Sequence, residues 1–283
     1  HEFGGIDMPE LPEVETVRRS LLSLLPHKKI SEVEIFTPTL LAAGDAAAFA
    51  ALAGHEFTDF WRRGKYLLFG FDNAERLVVH LRMTGKLLYH PVAEKRHKHD
   101  HACFSFDDGS ELVYNDTRKF GRFWLTDEAG LADVRGLSTL GLEPLDAEFS
   151  AAYLHAQLAR HPKAKLKAVL LDQTVVAGLG NIYADEVLFR AGVHPERSAA
   201  GLTPAEEKRL TAAMREILTE AIASRGTTFR DYVDGNNQRG GYQEQLKVFQ
   251  KQGEPCPDCG HIIERIRVAG RSSCFCPHCQ QAK

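Results

Sequence analysis

The chain has 283 residues, 43% apolar and 26% charged, an ordinary globular composition long enough for two domains of roughly 150 residues each. No apolar run reaches about 18 residues, so no membrane span is expected, and no basic-then-apolar leader predicts secretion. The net charge of −3 excludes a uniformly basic nucleic-acid binder. Lys and Arg are nevertheless bunched, at Arg62, Arg63 and Lys65, at Lys95, Arg96 and Lys98, at Arg118, Lys119 and Arg122, and at Lys163, Lys165 and Lys167. What matters for a polyanion is charge on one face rather than the total, and each bunch alone reads equally well as solvated surface.

His1–Asp7 (HEFGGID) reads as a cloning remnant ahead of a start at Met8, and residues 1–8 are set aside from the fold. Pro9 directly follows Met8. Aminopeptidases remove methionine before a small residue, which would leave Pro9 first in the chain. Its secondary amine then titrates like an α-amino group, at about 8, and is partly neutral and nucleophilic at physiological pH. The neighbouring carboxylate of Glu10 can carry protons for it. The plainer reading is a rigid helix start.

Val14, Val17, Leu21 and Leu24 fall at helical spacing behind Pro12 and Glu13 and predict an opening helix. From about Ile30 to Thr126 the chain turns to short aromatic and branched runs: 56–60, 66–71, 77–81, 103–106 and 122–125. Turns such as Asp72-Asn73 and Asp107-Asp108-Gly109 separate them, which predicts an antiparallel sandwich. Gly136 to Pro144 reads as the body of a linker over 136–148. Beyond it the helical period returns. Leu166–Leu171 reads as helical. Gly178 and Gly180 allow a sharp turn at which Asn181 caps a helix running to about Arg190 and ended by Gly192. Amides exposed at such a helix start suit a phosphate, although an ordinary turn explains them as well. Thr203, Pro204 and Glu206 form a cap, a first-turn proline and a capping-box partner. Leu210, Met214, Ile217, Leu218 and Ile222 give the stripe that follows, and Gly226 the stop. Blocks of strands followed by blocks of helices predict an α+β protein, with domains at 9–135 and 149–283.

Cys256-Pro-Asp-Cys259 and Cys276-Pro-His-Cys279 are separated by sixteen residues. Two such turns aim four thiolates at one point and predict a single structural zinc within a finger over 249–283. His278 is no ligand of it, since four sulfurs fill the site. Cys274 is left over as a small buried or half-buried side chain. Between the pairs, 262–268 and 272–275 read as a hairpin with Ala269-Gly270-Arg271 at its turn, placing a guanidinium at the tip.

The chain closely resembles the bacterial formamidopyrimidine-DNA glycosylases from Pro9 to its end. The likeness is carried by PELPEVETVRR at 9–19, RRGKYLL at 62–68, HLRMTGKL at 80–87, KHDH at 98–101, YNDTRKFGRF at 114–123, LLDQTVVAGLGNIYADEVLF at 170–189, GTTFRDY at 226–232 and the finger. The resemblance implies a β-sandwich catalytic domain flanked by helices, then a helix-two-turn-helix domain with a β-hairpin zinc finger. It implies excision of oxidised purines such as 8-oxoguanine from double-stranded DNA, followed by strand cleavage, by a monomer in the bacterial cytoplasm. It makes Pro9 the nucleophile at C1′ and Glu10 the acid that opens the sugar. Lys65 is placed near the lesion phosphate and base, and Arg271 on a phosphate and in elimination. Met83, Arg118 and Phe120 would fill the gap left by the flipped nucleotide, with Arg118 on the orphaned cytosine. His99, Lys163 and Asn181 resemble phosphate contacts. Residues 227–242 resemble the loop that closes over the flipped base, and their glycines and Asn236-Asn237 predict mobility. Thr117 departs from the proline that many members carry before the arginine. Two other readings stand beside this one: an endonuclease VIII-like enzyme for oxidised pyrimidines, against which Met83, Arg118, Phe120 and the PEL start speak, and a zinc-finger protein that only binds DNA.

Overall fold

The computed structural model describes residues 8–282; the segment read as a cloning remnant, His1–Asp7, lies outside the described residues, as does Lys283. The described chain divides into two compact units, Met8–Ser138 with Ser224–Gly241, and Thr139–Ala223 with Tyr242 onward. The crossing at 138/139 falls inside the 136–148 stretch.

In the first unit, α1 (Leu11–Leu24) begins where Pro12 occupies the first turn and Glu13 folds back, its Oε2 accepting the Glu10 amide at 2.9 Å. Its apolar stripe, Val14, Val17 and Leu21, is fully buried. Each such side chain contributes about 1.5–3 kcal/mol of burial. The strands follow as β1 (Ile30–Ile35), β2 (Leu41–Ala43), β3 (Phe57–Arg63), β4 (Tyr66–Phe71), β5 (Glu75–His80), β6 (Gly85–His90), β7 (Asp100–Phe106), β8 (Glu111–Asp116) and β9 (Arg122–Asp127), with a short helix α2 (Ala46–Ala50) between β2 and β3. They form a four-stranded sheet, β1-β7-β8-β6, and a five-stranded one, β2-β9-β5-β4-β3. Val33, Phe104 and Leu112 from the first share one core with Phe57, Leu67, Phe69 and Phe123 from the second and with α1. That is the expected sandwich. One pairing departs from the antiparallel expectation: β2 runs parallel to β9. The gap between β3 and β4 is two residues, Gly64 at φ 55° and Lys65, because Arg63 already pairs with Tyr66.

In the second unit, α3 (Ala151–Ala159), α4 (Leu166–Leu170), α5 (Asn181–Ala191) and α6 (Pro204–Ala223) precede a hairpin of β10 (Glu264–Val268) and β11 (Arg271–Phe275). The Thr203/Glu206 capping box is formed in both directions, at 2.8 and 3.2 Å. Gly192 ends α5 in the left-handed conformation, φ 69°. The expected cap at Asn181 is corrected by one position. Gly180 is the cap and Asn181 is the first helical residue, since only Gly180 has extended backbone there. No helix among the described residues is long and apolar enough to cross a membrane.

Candidate functional site

The site in the first unit begins at the turn before α1. Pro9 and Glu10 are buried there, and Glu13 holds the turn from inside the helix. The second oxygen of Glu13 accepts the Thr227 amide at 2.7 Å. One carboxylate thus fastens both the Pro9–Glu10 turn and the start of the 224–241 segment. Gly226 is required at this crossing: its φ is +76°, and a β-carbon would stand 2.7 Å from Glu13 Oε1. Farther along the segment, Gly235 donates to Ser20 Oγ at 2.9 Å and its carbonyl accepts from Tyr89. Asp234 turns the tip by accepting from the amides of Asn236 and Gln238 and pairing with Arg225. The loop for which the sequence predicts mobility is therefore tied at its start and at its tip.

On α1, Glu15 receives Arg18 and Arg19, and Arg62 from the RRGK turn at 3.1 Å. Burial alone would raise its carboxyl, but these guanidinium groups outweigh it and hold the pKa down at about 2. Arg62 also donates to the Gly64 carbonyl at 2.9 Å, which fixes the turn carrying Lys65. Lys65 is 7% exposed. Its charge bears on His80, buried against the Tyr66 ring at 4.6 Å. Burial first, and then the positive charges of Arg82 and Lys65, bring the His80 pKa down to about 3, so its imidazole is neutral. Its Nδ1 accepts the Arg82 amide at 3.0 Å, and Arg82 stands at φ 53° immediately before Met83.

Met83, Arg118 and Phe120 come together around one fully buried carboxylate, Asp116. Its Oδ2 accepts from Tyr114 Oη at 2.8 Å and the Gly121 amide at 3.0 Å. Its Oδ1 accepts from Thr84 Oγ1 at 2.5 Å and the Arg118 amide at 3.1 Å. The loop holding Met83 and the loop holding Arg118 and Phe120 therefore share an anchor. Above it Arg118 Nη1 lies 3.4 Å from Met83 Sδ, and Phe120 is 51% exposed. His99 joins the group through its carbonyl, which accepts the Asp116 amide at 2.9 Å. Gly121 is obligatory, because a β-carbon there would lie 1.7 Å from Tyr114 Oη.

In the second unit, Asn181 opens α5 with its Oδ1 buried and without a hydrogen-bond partner. The next turn of α5 carries two buried carboxylates. Asp185 accepts from Lys167 at 2.6 Å, from Ser273 Oγ at 3.0 Å and from the Cys274 amide at 2.9 Å. Glu186 accepts the amides of Lys247, Val248 and Phe249, each at 2.9 Å. The hairpin is thereby bolted to α5. Arg271 is exposed at the start of β11, after a tight turn at Ala269 and Gly270 with φ 50° and 78°. The three-lysine bunch divides: Lys163 is exposed, Lys165 pairs with Glu196, and Lys167 is buried on Asp185. Cys256, Cys259, Cys276 and Cys279 bring four sulfurs within 4.8 Å of one another, with Cys259–Cys276 at 3.4 Å and Cys256–Cys279 at 3.9 Å. Zinc–sulfur bonds of about 2.3 Å set tetrahedral sulfurs about 3.8 Å apart, so the cluster fits zinc. Cys274, as expected, is buried outside it.

Sequence reasoning missed Asp116, Glu13, His80, Asp185 and Glu186. A signal existed for two of them, since adjacent acidic residues inside the apolar run 170–189 demand buried partners.

Comparisons with known proteins agree with this arrangement. Family models described as formamidopyrimidine-DNA glycosylase N-terminal domain, formamidopyrimidine-DNA glycosylase H2TH domain, and zinc finger found in FPG and IleRS match residues 8–123, 140–233 and 253–282. A formamidopyrimidine-DNA glycosylase of Pelotomaculum thermopropionicum is 47% identical over 98% of this chain and 100% of its own length. That of Symbiobacterium thermophilum is 50% identical over 96% of this chain and 89% of its own. Among solved structures, a complex between Lactococcus lactis Fpg and an abasic-site-containing DNA superposes with TM-score 0.90 at 39% identity, covering 96% of this chain and 100% of that one. A complex of a mutant of the same Lactococcus lactis protein with Fapy-dG-containing DNA gives the same TM-score and identity over 97% and 100%.

Proposed function

This chain belongs to the formamidopyrimidine-DNA glycosylase family, and from that premise we propose how its own residues divide the repair reaction. The activity is that of a base-excision-repair DNA glycosylase with abasic-site lyase activity, and its finger holds one structural zinc. The substrate is double-stranded DNA carrying an oxidised purine.

Freed Pro9 attacks C1′ with its secondary amine and the damaged base leaves. Glu10, next to it, protonates the sugar-ring oxygen and the ring opens to an iminium. The iminium acidifies the C2′ proton, so β-elimination cuts on the 3′ side and δ-elimination on the 5′ side. Lys65, fixed by the Arg62–Glu15 clamp, serves the lesion phosphate. Met83 and Phe120 occupy the gap in the stack, which offsets part of the few kcal/mol that flipping costs. Arg118 bonds the edge of the orphaned cytosine. In the second unit, Asn181, Lys163 and Arg271 grip phosphates, with His99 doing the same in the first. The Asn181 amide suits this role: exchanging its oxygen and nitrogen by a flip turns the unpaired atom into a donor for a phosphate oxygen. Arg271 also supplies a proton during elimination. The zinc takes no part in bond cleavage, since four sulfurs leave no position for water.

We also read the domains as 9–135 and 149–283, with 224–241 of the latter packed into the first unit, the working unit as a monomer, since one chain supplies every group named, and its compartment as the cytoplasm. None of the six cysteines is paired in a disulfide, which fits a reducing location.

The observation that carries the purine reading is the anchoring of Met83, Arg118 and Phe120 on Asp116, which builds a three-residue plug with an arginine for cytosine. The test is excision by protein with a free Pro9 from 8-oxoguanine·C and thymine-glycol·A duplexes. Preference for the first supports the reading. Preference for the second replaces it with the pyrimidine enzyme. Failure of both, with binding intact, leaves a DNA-binding protein.

A further inference from the structure

The two turns that gather four sulfurs also gather two imidazoles. His261 follows Cys259 by two residues, and His278 sits inside the Cys276–Cys279 turn. Their rings stack with centroids 4.4 Å apart and planes 5° apart. Both are exposed, and one donor nitrogen of each lies with Cys259 Sγ in a three-donor cluster whose atoms are within 4.8 Å of one another. Cys256 and Cys276 are buried, whereas Cys259 is half-buried, so the sulfur beside the imidazoles is one that solvent reaches.

We propose that His261, His278 and the Cys259 sulfur form a second, exchangeable site for a divalent transition-metal ion of the zinc–cobalt–nickel class, next to the structural zinc. A zinc-bound thiolate retains lone pairs and can bridge two ions. Imidazole nitrogen and thiolate sulfur are the donors this class of ion favours. Bonds of about 2.0–2.1 Å to nitrogen and 2.3 Å to sulfur require donors about 3.3–3.8 Å apart. Both imidazoles are exposed, so turning them about their side-chain torsions is the movement that binding requires. The backbone is already fixed: the Cys256 amide donates to the His261 carbonyl at 2.7 Å, and the Cys276 amide to Gln280 Oε1 at 2.9 Å. Three protein donors leave the ion at least one water, which makes it replaceable, unlike the ion enclosed by four sulfurs. Binding forms two metal–nitrogen bonds and one metal–sulfur bond at the expense of bound water, with no change of oxidation state.

The experiment titrates cobalt(II) into the zinc-loaded, DNA-free protein and follows the thiolate-to-cobalt charge-transfer band while zinc content is measured on the same samples. The expected result is a band that saturates at one added equivalent with the zinc retained. His261→Ala/His278→Ala should keep its zinc, lose the band and bind cobalt at least tenfold more weakly at this site. Cobalt taken up by histidines elsewhere, with no sulfur ligand, would give no such band. His278→Gln alone, in an exposed position, should weaken the band without unfolding the finger. Absence of the band, its persistence in the double variant, or release of zinc one-for-one with cobalt uptake overturns the proposal.

Discussion

Replacing Asp116 by Asn changes one atom in a fully buried position and strikes both loops of the plug. In the wild type each carboxylate oxygen accepts two hydrogen bonds, from Tyr114 and Gly121 on one side and Thr84 and Arg118 on the other. An asparagine must present its NH₂ to one of those pairs; the hydroxyl of that pair can turn to accept from it, but the backbone amide is left as a buried donor facing a donor. An unsatisfied buried group costs about 1–3 kcal/mol, so the substitution should destabilise the first unit by about that much. Part of that cost falls on the placement of Met83 and Arg118 rather than on global unfolding. Urea unfolding gives the first quantity. Excision of 8-oxoguanine opposite cytosine against adenine gives the second, and the discrimination should shrink because Arg118 is no longer held. Binding to undamaged duplex, which relies on phosphates, should change far less. A variant within about 0.5 kcal/mol of wild type that discriminates equally well would refute the role given to Asp116.

Three further outcomes follow from the same geometry. A chain in which Met8 stays peptide-bonded to Pro9 has no amine there; it should bind lesion duplex yet give no borohydride-trapped adduct, and trapping on intact, mass-verified protein would contradict this. Cys256→Ser/Cys259→Ser should lose zinc and, with the hairpin unfolded, duplex binding; full lesion binding by that variant would show that Arg271 needs no metal-held hairpin. His80, held at about 3 when folded, titrates near 6.5 when unfolded. Between those values the unfolded chain takes a proton that the folded chain refuses. Its contribution is therefore intact above about pH 6.5 and is lost as pH falls toward 3. Urea unfolding at pH 7, 5 and 4 should show a shallower decline for His80→Gln, and parallel declines would count against a buried neutral imidazole.

Much of this could be read from residue order. The period of Val14, Val17 and Leu21 marks α1, the capping box marks α6, and cysteine spacing marks the finger, because each signal is local. Tyr66–Phe71 is a strand at its expected bounds. What escaped was set by distant partners. Glu13 looks like a capping residue until its other oxygen is found on Thr227, 214 positions away. Asp116 sits in YNDTRKFG like any loop acid; only the approach of Thr84 and Gly121 makes it an anchor. The parallel β2–β9 pairing depends on a crossover that a three-residue strand does not announce. The shift of the α5 cap from Asn181 to Gly180 turns on a single φ/ψ pair.

The fastening of the hairpin to α5 bears on how this protein could be rearranged. A finger model spans only 253–282, which invites treating the segment as an interchangeable part. Here it has a counterpart outside itself: Ser273 and the Cys274 amide rest on Asp185, the Ser272 carbonyl on Lys167, and Gln280 on the Val193 carbonyl. Cut out alone, the segment would expose those groups and keep only its metal and five strand pairings. Grafting it into another protein, or exchanging it with a relative's, would succeed only where the recipient offers an acid–lysine couple on the accepting helix. The inheritable element is the finger together with its socket.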